Sequence, residues 1–192
     1  EFEIDRVSDM SRGDRCNVSR ITLCTHTGTH MDSPLHYIAD GVGMDAAPLA
    51  AMLGPARVLE CDDPIAIRRP WLEQQGLRQG ERIIFKTRQP KPATAQLTPP
   101  TGFREDYVYI GFDAAQLLAE KETLLVGIDT MSVGGYYDSM VDTHVALLSG
   151  GCWLVENLDL EKITAGNYEI ICLPVNIINA DGAPARVLMR KI

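Results

Sequence analysis

The stretch Thr25 to Tyr37 reads Thr-His-Thr-Gly-Thr-His-Met-Asp-Ser-Pro-Leu-His-Tyr and holds three of the four histidines of the chain. These are His26, His30 and His36, and Asp32 lies among them. Neutral imidazoles and a carboxylate packed this closely are typical ligands of a divalent transition metal. A lone histidine is more often a surface or core residue, but this combination favours a metal site.

The backbone of this stretch is predicted to be extended with a bend. Its threonines are β-branched and its glycine is a poor helix former, which disfavours a helix. In a straight strand, residues four apart, such as His26 and His30, are separated by about 13 Å, too far to share one metal ion. A bulge or turn at Gly28 would bring them together, and Pro34 would end strand pairing. We expect the fold to return His144 to this stretch.

Composition describes an ordinary globular chain and excludes some classes of partner. The 192 residues, with 45% hydrophobic and 23% charged side chains, suit one domain spanning 1–192. The net charge of −8 argues against a general affinity for nucleic acid or anionic membranes. No apolar run approaches the roughly 20 residues of a transmembrane helix, and no signal peptide is visible.

Cysteine usage and the first residue bear on the origin of the chain. Five cysteines are scattered without a Cys-x-x-Cys pair, which indicates a reducing compartment, so we expect a cytoplasmic protein. Cys24 lies beside the histidine stretch and is left open as a further metal contact. The chain begins at Glu1 without methionine, and we expect an N-terminal piece to be missing.

The apolar pattern predicts a mixed α/β fold with few helices. Segments of alternating or continuous apolar residues predict strands at Phe2–Ser11, Arg20–His26, Ala56–Glu60, Glu81–Thr87, Leu124–Ile128, Cys152–Val155, Tyr168–Val175 and Arg186–Arg190. Helical spacing and end signals predict helices at Ala46–Leu53, Pro70–Gln75, Gly111–Glu122 and Met140–Leu148, the third capped by Asp113.

Two features outside the histidine stretch are left open. Arg88–Thr101 carries four prolines and is either a lid over a site or a surface insertion. Asp129 follows the apolar strand Leu124–Ile128, at the end of the strand where sites on α/β sheets lie. It is either a site residue or a cap of the strand end.

The histidine stretch resembles the signature of the cyclase family that includes bacterial kynurenine formamidases. That signature is His-x-Gly-Thr-His-x-Asp-x-Pro-x-His, and the stretch from His26 to His36 keeps every specified position. The resemblance covers most of the chain from Arg20 onward. Its other parts are Gly127-Ile128-Asp129-Thr130 with Ser132, the pair His144 and Glu156, and Leu173-Pro174 through Asp181-Gly182-Ala183-Pro184-Ala185-Arg186.

The resemblance implies a site for two metal ions, usually zinc. His26, His30 and Asp32 would bind the first metal and His144 the second, with Asp32 and Glu156 bridging both. On the residues alone, His144 is interpreted as a histidine on a helix face and Glu156 as a surface carboxylate at a strand end. Only the resemblance assigns these two residues to the metals.

The resemblance also implies a fold and an activity. The family fold is a swivelling β/β/α arrangement, usually in homodimers or larger homo-oligomers. The implied activity is hydrolysis of a small-molecule amide, foremost N-formylkynurenine of tryptophan catabolism. A metal lowers the pKa of bound water to about 7 and so supplies hydroxide to attack the carbonyl. His36 would be the proton donor and acceptor, because its titration range suits protonation of the leaving amine.

Departures from the family pattern concern the substrate pocket. The usual segment before the first strand, with a pocket-lining aromatic residue, has no counterpart, and Met131 stands where a proline is usual. One alternative is therefore the hydrolysis of a cyclic amide or lactone, as in relatives that bind a single manganese and open isatin. Another is a non-catalytic metal-binding or scaffold protein. A serine or cysteine hydrolase is disfavoured, because no Gly-x-Ser-x-Gly elbow occurs.

Overall fold

A closed barrel of seven strands is the centre of the computed structural model, which describes residues 2–88 and 105–192. Within these ranges, the strands are β1 (Glu3–Ser8), β2 (Val18–Thr22), β3 (His30–Asp32), β4 (Leu53–Cys61), β5 (Ala66–Ile67), β6 (Arg82–Thr87), β7 (Tyr109–Ile110), β8 (Leu125–Ile128), β9 (Trp153–Glu156), β10 (Gly166–Pro174) and β11 (Gly182–Lys191). The helices of the same ranges are α1 (Leu49–Met52), α2 (Arg69–Glu73), α3 (Phe112–Glu120) and α4 (Met140–Ser149).

The barrel combines parallel and antiparallel pairing. Its strand order is β10, β11, β3, β9, β8, β6, β4, and the pairing of β4 with β10 closes it. The run β4, β6, β8, β9 is parallel, whereas β3, β10 and β11 pair antiparallel with their neighbours. The predicted mixed α/β class is therefore confirmed. The predicted loop Arg88–Thr101 lies, apart from Arg88, outside the described residues.

Two hydrophobic clusters lie on the two faces of the barrel wall. One cluster receives side chains from all seven strands, including Met31, Ile84 and Val155, and fills the barrel. The other lies between the outer face and the helices α2, α3 and α4. Because the parallel strands are covered on both faces, they are continuously apolar, as in Ile83-Ile84-Phe85 of β6.

The helices follow the predicted positions, but the cap of α3 was assigned wrongly. Gly111 is the N-cap of α3, and it has no side chain with which to cap. The carboxylate of Asp113 lies within the first turn, where it accepts hydrogen bonds from the amides of Ala114 and Arg69. Asp113 therefore also fastens the start of α2 to α3. In residues 2–88 and 105–192, no helix is long and apolar enough to span a membrane.

The strands β1 and β2 form a separate two-stranded ribbon. The predicted strand over Arg20–His26 is wrong at its end, because β2 stops at Thr22 and the following residues turn. Ile4 of β1 stands directly opposite Ile21 of β2, and both side chains are more than half exposed. The apolar alternation of this segment therefore marks one face of the ribbon and not a wall of the core.

Candidate metal centre

The chain bends sharply just before β3. Gly28 has a φ of +67°, which is unfavourable for residues with a side chain, and a turn precedes the strand. Pro34 then begins a short 3-10 helix, Pro34–His36, so the strand contains only His30, Met31 and Asp32. Both predicted interruptions of the stretch, the bend at Gly28 and the stop at Pro34, are confirmed.

Strand pairing brings three predicted ligands to one patch on the outer face of the barrel. His30 of β3 stands directly opposite Glu156 of β9, and Asp32 follows two residues later on the same face. His30 Nε2 lies 3.3 Å from Asp32 Oδ1 and 3.4 Å from Glu156 Oε2. All three residues are buried. Met31, between them, points into the barrel with the opposite alternation.

Helix α4 supplies a fourth ligand candidate. It packs against β9 and the outer hydrophobic cluster and places His144 over the carboxylates. The Nε2 atom of His144 lies 3.4 Å from Glu156 Oε1 and 3.9 Å from Asp32 Oδ2. The expectation that the fold returns His144 to the histidine stretch is confirmed.

Backbone carbonyls fix the orientation of two of the rings. His30 Nδ1 donates to the carbonyl of Gly28 at 2.8 Å, and His144 Nδ1 donates to the carbonyl of Met140 at 2.6 Å. A carbonyl oxygen only accepts, so Nδ1 must carry the proton. In the neutral ring, Nε2 is then left with a lone pair directed at the carboxylates, as a metal ligand requires.

Two buried atoms at this point have no hydrogen-bond partner, namely His30 Nε2 and Asp32 Oδ2. Buried polar atoms are rarely left unsatisfied, because the loss costs about 1–3 kcal/mol. The ligand atoms of His26, His30 and Asp32 lie within 4.8 Å of one another, as do those of Asp32, His36 and His144. The residues therefore fit a divalent metal held by imidazole and carboxylate.

His26 and His36 form the outer side of the centre. Their rings stack with centroids 4.0 Å apart, and both side chains are partly exposed. His26 Nδ1 lies 2.9 Å from Asp32 Oδ1, while its Nε2 lies 3.1 Å from Asp181 Oδ2. His36 Nδ1 is 3.8 Å from the same oxygen of Asp181. The structure thus brings all six predicted site residues together and adds Asp181.

Mutual charge governs the protonation of the centre in the metal-free protein. Burial lowers the pKa of His30, but the carboxylates of Asp32 and Glu156 outweigh it and raise that pKa to about 10. Burial alone would raise the pKa of Asp32, yet the neighbouring rings of His26 and His30 hold it below its usual range. For His36, burial dominates and its pKa falls. The carboxylates therefore favour a positive charge at His30 in the metal-free protein.

Sequence reasoning missed the contacts that hold these side chains. The carboxylate of Glu156 accepts from the Val133 amide at 2.7 Å and from Ser132 Oγ at 3.1 Å, and the Tyr37 ring stacks on His144 at 4.2 Å. Ser132 lies in the segment quoted for the resemblance, which was a usable signal. Asp181 was quoted within the stretch that resembles the family, and nothing in its spacing connects it to His26.

Two residues that were left open lie apart from the centre. Asp129 accepts hydrogen bonds from Thr87, at 3.0 Å from the amide and 2.7 Å from the hydroxyl, and so joins the ends of β8 and β6. Cys24 is exposed. Among the described residues, neither belongs to a group of potential ligands that includes the histidines.

Comparison with models of protein families assigns the chain to a family. The model described as "Putative cyclase" matches residues 3–134, which is more than half of the chain. The chain therefore belongs to the cyclase family.

Solved structures of similar proteins agree with the family match. One described as a potential metal-dependent hydrolase with cyclase activity superposes with a TM-score of 0.81 at 27% identity, covering 99% of this chain and 87% of that one. A predicted metal-dependent hydrolase from Bacillus stearothermophilus gives 0.78 at 27% identity, covering 98% and 86%. Isatin hydrolase A from Labrenzia aggregata shares the fold, with a TM-score of 0.83 at 22% identity, covering 100% and 84%.

Proposed function

We propose that this member of the cyclase family is a metal-dependent hydrolase that cleaves the carbon–nitrogen bond of an amide. The observation that carries the proposal is the pair of buried atoms without hydrogen-bond partners, His30 Nε2 and Asp32 Oδ2, within a cluster of imidazoles and carboxylates. The two similar structures at 27% identity are described as a potential and a predicted metal-dependent hydrolase, which supports the same activity for this chain.

The residues proposed to hold the metals are those that the family resemblance implies, and the fold brings them together. His26, His30 and Asp32 would hold one ion and His144 would hold a second, and Asp32 and Glu156 would be available to both. Zinc is the proposed ion, and manganese suits the same ligands. When bound, the metal lowers the pKa of a water molecule to about 7 and polarises the substrate carbonyl. The two carboxylates offset the positive charge of the ions.

His36 is the proposed proton carrier. It lies on the exposed side of the centre, next to the His26 ring, where a substrate can reach it. Its pKa is lowered, first by burial and then by neighbouring histidines, so the ring is neutral near pH 7 and accepts a proton. It then returns a proton to the leaving amide nitrogen, which departs as the amine while the acyl part departs as the acid.

N-formylkynurenine is the leading substrate. The histidine signature, which matches the formamidase-containing family at every specified position, supports this choice. Hydrolysis of its formamide breaks the bond between the formyl carbon and the nitrogen and yields formate and an aryl amine. A cyclic amide such as isatin is the second candidate, because isatin hydrolases share the fold of this chain. Opening a cyclic amide breaks the same type of bond.

The test compares wild-type protein with His36→Ala in a formate-release assay. We expect the variant to lose about 10²–10⁴-fold in turnover, the usual contribution of a general acid–base residue. We also expect metal content measured by elemental analysis to be unchanged. Glu169→Gln, which breaks an exposed ion pair with Arg190, is the matched surface control. Full turnover by His36→Ala would remove His36 from the mechanism, and isatin run in parallel would separate the two substrates.

A further inference from the structure

His26 differs from the other histidines of the centre because it lies between two carboxylates. Its Nδ1 lies 2.9 Å from Asp32 Oδ1, and its Nε2 lies 3.1 Å from Asp181 Oδ2. The second oxygen of Asp181 is held as well, because Thr25 Oγ1 donates to Oδ1 at 3.0 Å. A neutral imidazole has one N–H, so it can donate to only one of the two carboxylates.

The two buried histidine rings show which group usually accepts the single N–H of a neutral imidazole in this centre. His30 and His144 each donate from Nδ1 to a backbone carbonyl and direct Nε2 at Asp32 and Glu156. Metal-binding histidines almost always donate their second N–H to such an acceptor, which fixes the tautomer and the ring orientation. His26 has no such carbonyl contact among the described hydrogen bonds, and a carboxylate takes that place.

Burial and hydrogen bonding indicate which of the two carboxylates beside His26 accepts its N–H. The side chain of Asp32 is fully buried and its Oδ2 has no hydrogen-bond partner. The side chain of Asp181 is 46% exposed, its Oδ1 accepts from Thr25, and the hydrogen bond at its Oδ2 is the one to His26. The oxygen without a partner therefore lies on the Asp32 side of the ring, and Nδ1 points to that side.

We propose that Asp181 is the positioning residue of His26. Its Oδ2 accepts the hydrogen bond from Nε2–H, which leaves the lone pair on Nδ1 and turns that atom toward the metal beside Asp32. The inference rests on the proposed function, since it takes His26 to be a ligand. It predicts that His26 binds through Nδ1, whereas His30 and His144 bind through Nε2.

The fold places Asp181 for this task. Its backbone carbonyl accepts from the amide of Ser33, and the next residue, Gly182, pairs with Asp32 in the β11–β3 ladder. A Cβ on Gly182 would stand 2.7 Å from His26 Cε1, so only glycine lets the ring lie against this strand. The strand pair that carries Asp32 therefore also carries the carboxylate on the far side of the His26 ring.

The test measures Co²⁺ affinity of the whole chain by competition with a chelator, together with the visible Co²⁺ spectrum. We expect Asp181→Ala to bind Co²⁺ about 10–100-fold more weakly and to change the spectrum, as loss of such a partner does. Asp181→Asn should fall between, because its amide oxygen still accepts. Glu169→Gln also removes one negative charge, at an exposed ion pair, and should stay within about threefold of wild type.

Thr25→Val separates positioning from a merely structural role. This variant removes the anchor of Asp181 but keeps the contact with His26, so it should remain close to wild type in Co²⁺ affinity and spectrum. A loss equal to that of Asp181→Ala would assign Asp181 to holding the turn and would overturn the proposal. Loss of one equivalent of bound Co²⁺ in Asp181→Ala would make Asp181 a ligand itself and would overturn the proposal. Wild-type Co²⁺ affinity in Asp181→Ala would overturn the proposal as well.

A metal-free readout distinguishes failure of this inference from failure of the proposed function. If the wild-type protein bound no Co²⁺, the proposed metal-dependent activity would fail. The inference would then be decided by the ring ¹⁵N shifts of His26 in the metal-free protein, recorded at a pH where the ring is neutral. A proton on Nε2 supports the role of Asp181, and a proton on Nδ1 contradicts it.

Discussion

The inner and outer sides of the metal centre are held in place by different means. On the inner side, His30 and His144 are buried and their rings are anchored by backbone carbonyls. On the outer side, His26 and His36 are partly exposed and lie beside the side chain of Asp181. Backbone carbonyls thus orient the inner rings, whereas the outer rings are contacted by side chains, Asp32 and Asp181 among them. Substitutions should affect the two sides unequally.

Asp32→Asn should give the largest effect, because Asp32 contacts histidines of both sides. We expect Co²⁺ affinity to fall by more than about 100-fold, since loss of an outer partner alone costs about 10–100-fold. The measurement is chelator competition, with Glu169→Gln as the control. Retention of affinity within about tenfold of wild type would show that the centre does not depend on the carboxylate shared by its two sides.

The inner side should also make the stability of the metal-free protein depend on pH. The folded-state pKa of His30 is raised from 6.5 to about 10, so its contribution is complete below pH 6.5 and is lost as pH rises toward 10. The free energy of unfolding of chelator-treated protein, measured with urea, should therefore fall across this window, and His30 alone contributes at most about 1.4 kcal/mol per pH unit. His30→Gln should reduce the slope, and the part that remains belongs to His26 and His144, whose pKa values are also raised. A stability that is constant from pH 6.5 to 10 would contradict the assignment.

Gly182→Ala should disturb the outer side and the pairing of β11 with β3 beside it. The added Cβ would meet His26 Cε1 at 2.7 Å and the carbonyl of Met31 at 2.9 Å, so the ring must move. We expect about tenfold weaker Co²⁺ binding, comparable to loss of an outer-shell partner. Because this change and Asp181→Ala act on the same ring, the double variant should lose less than the sum of the two. Strict additivity would show that the two substitutions do not act on the same ring.

Asp129→Asn should give the smallest effect on the centre. Its carboxylate holds Thr87 at the ends of two parallel strands, and it contacts no ligand candidate in the described hydrogen bonds. We expect urea unfolding to show a loss of about 1–2 kcal/mol, the usual cost of weakening a buried hydrogen bond to a charged group. Co²⁺ affinity should be unchanged. A loss of affinity without a loss of stability would place Asp129 in the site after all.

Local features of the fold were predictable because they depend on neighbouring residues. The apolar runs of β6 and β8 and the bend at Gly28 follow from short-range pattern, and the structure contains all three. Closure of the barrel was not predictable, because it requires β10 to pair with β4, which lies far earlier in the chain. The exposed apolar face of β2 was also missed, since alternation does not reveal which face is covered.

The site was predictable to a similar extent. The ligand candidates of the histidine stretch stand out by residue type and spacing, and the family resemblance added His144 and Glu156. The residues that position the ligand side chains could not be found in the same way. Asp181 reaches His26 only through the pairing of β11 with β3, and the carbonyls of Gly28 and Met140 leave no mark on residue type. Contacts made by the backbone are invisible to a search for chemical groups.

Turnover by the purified protein before and after metal removal tests the central claim most directly. N-formylkynurenine and isatin would each be assayed untreated, after chelator treatment, and after zinc or manganese is added back. We predict formate release that disappears with the chelator and returns with one of the metals. Turnover of isatin alone would move the substrate to the second candidate and leave the metal centre in place. Hydrolysis that persists without metal, or metal-loaded protein that hydrolyses neither amide, would contradict the account.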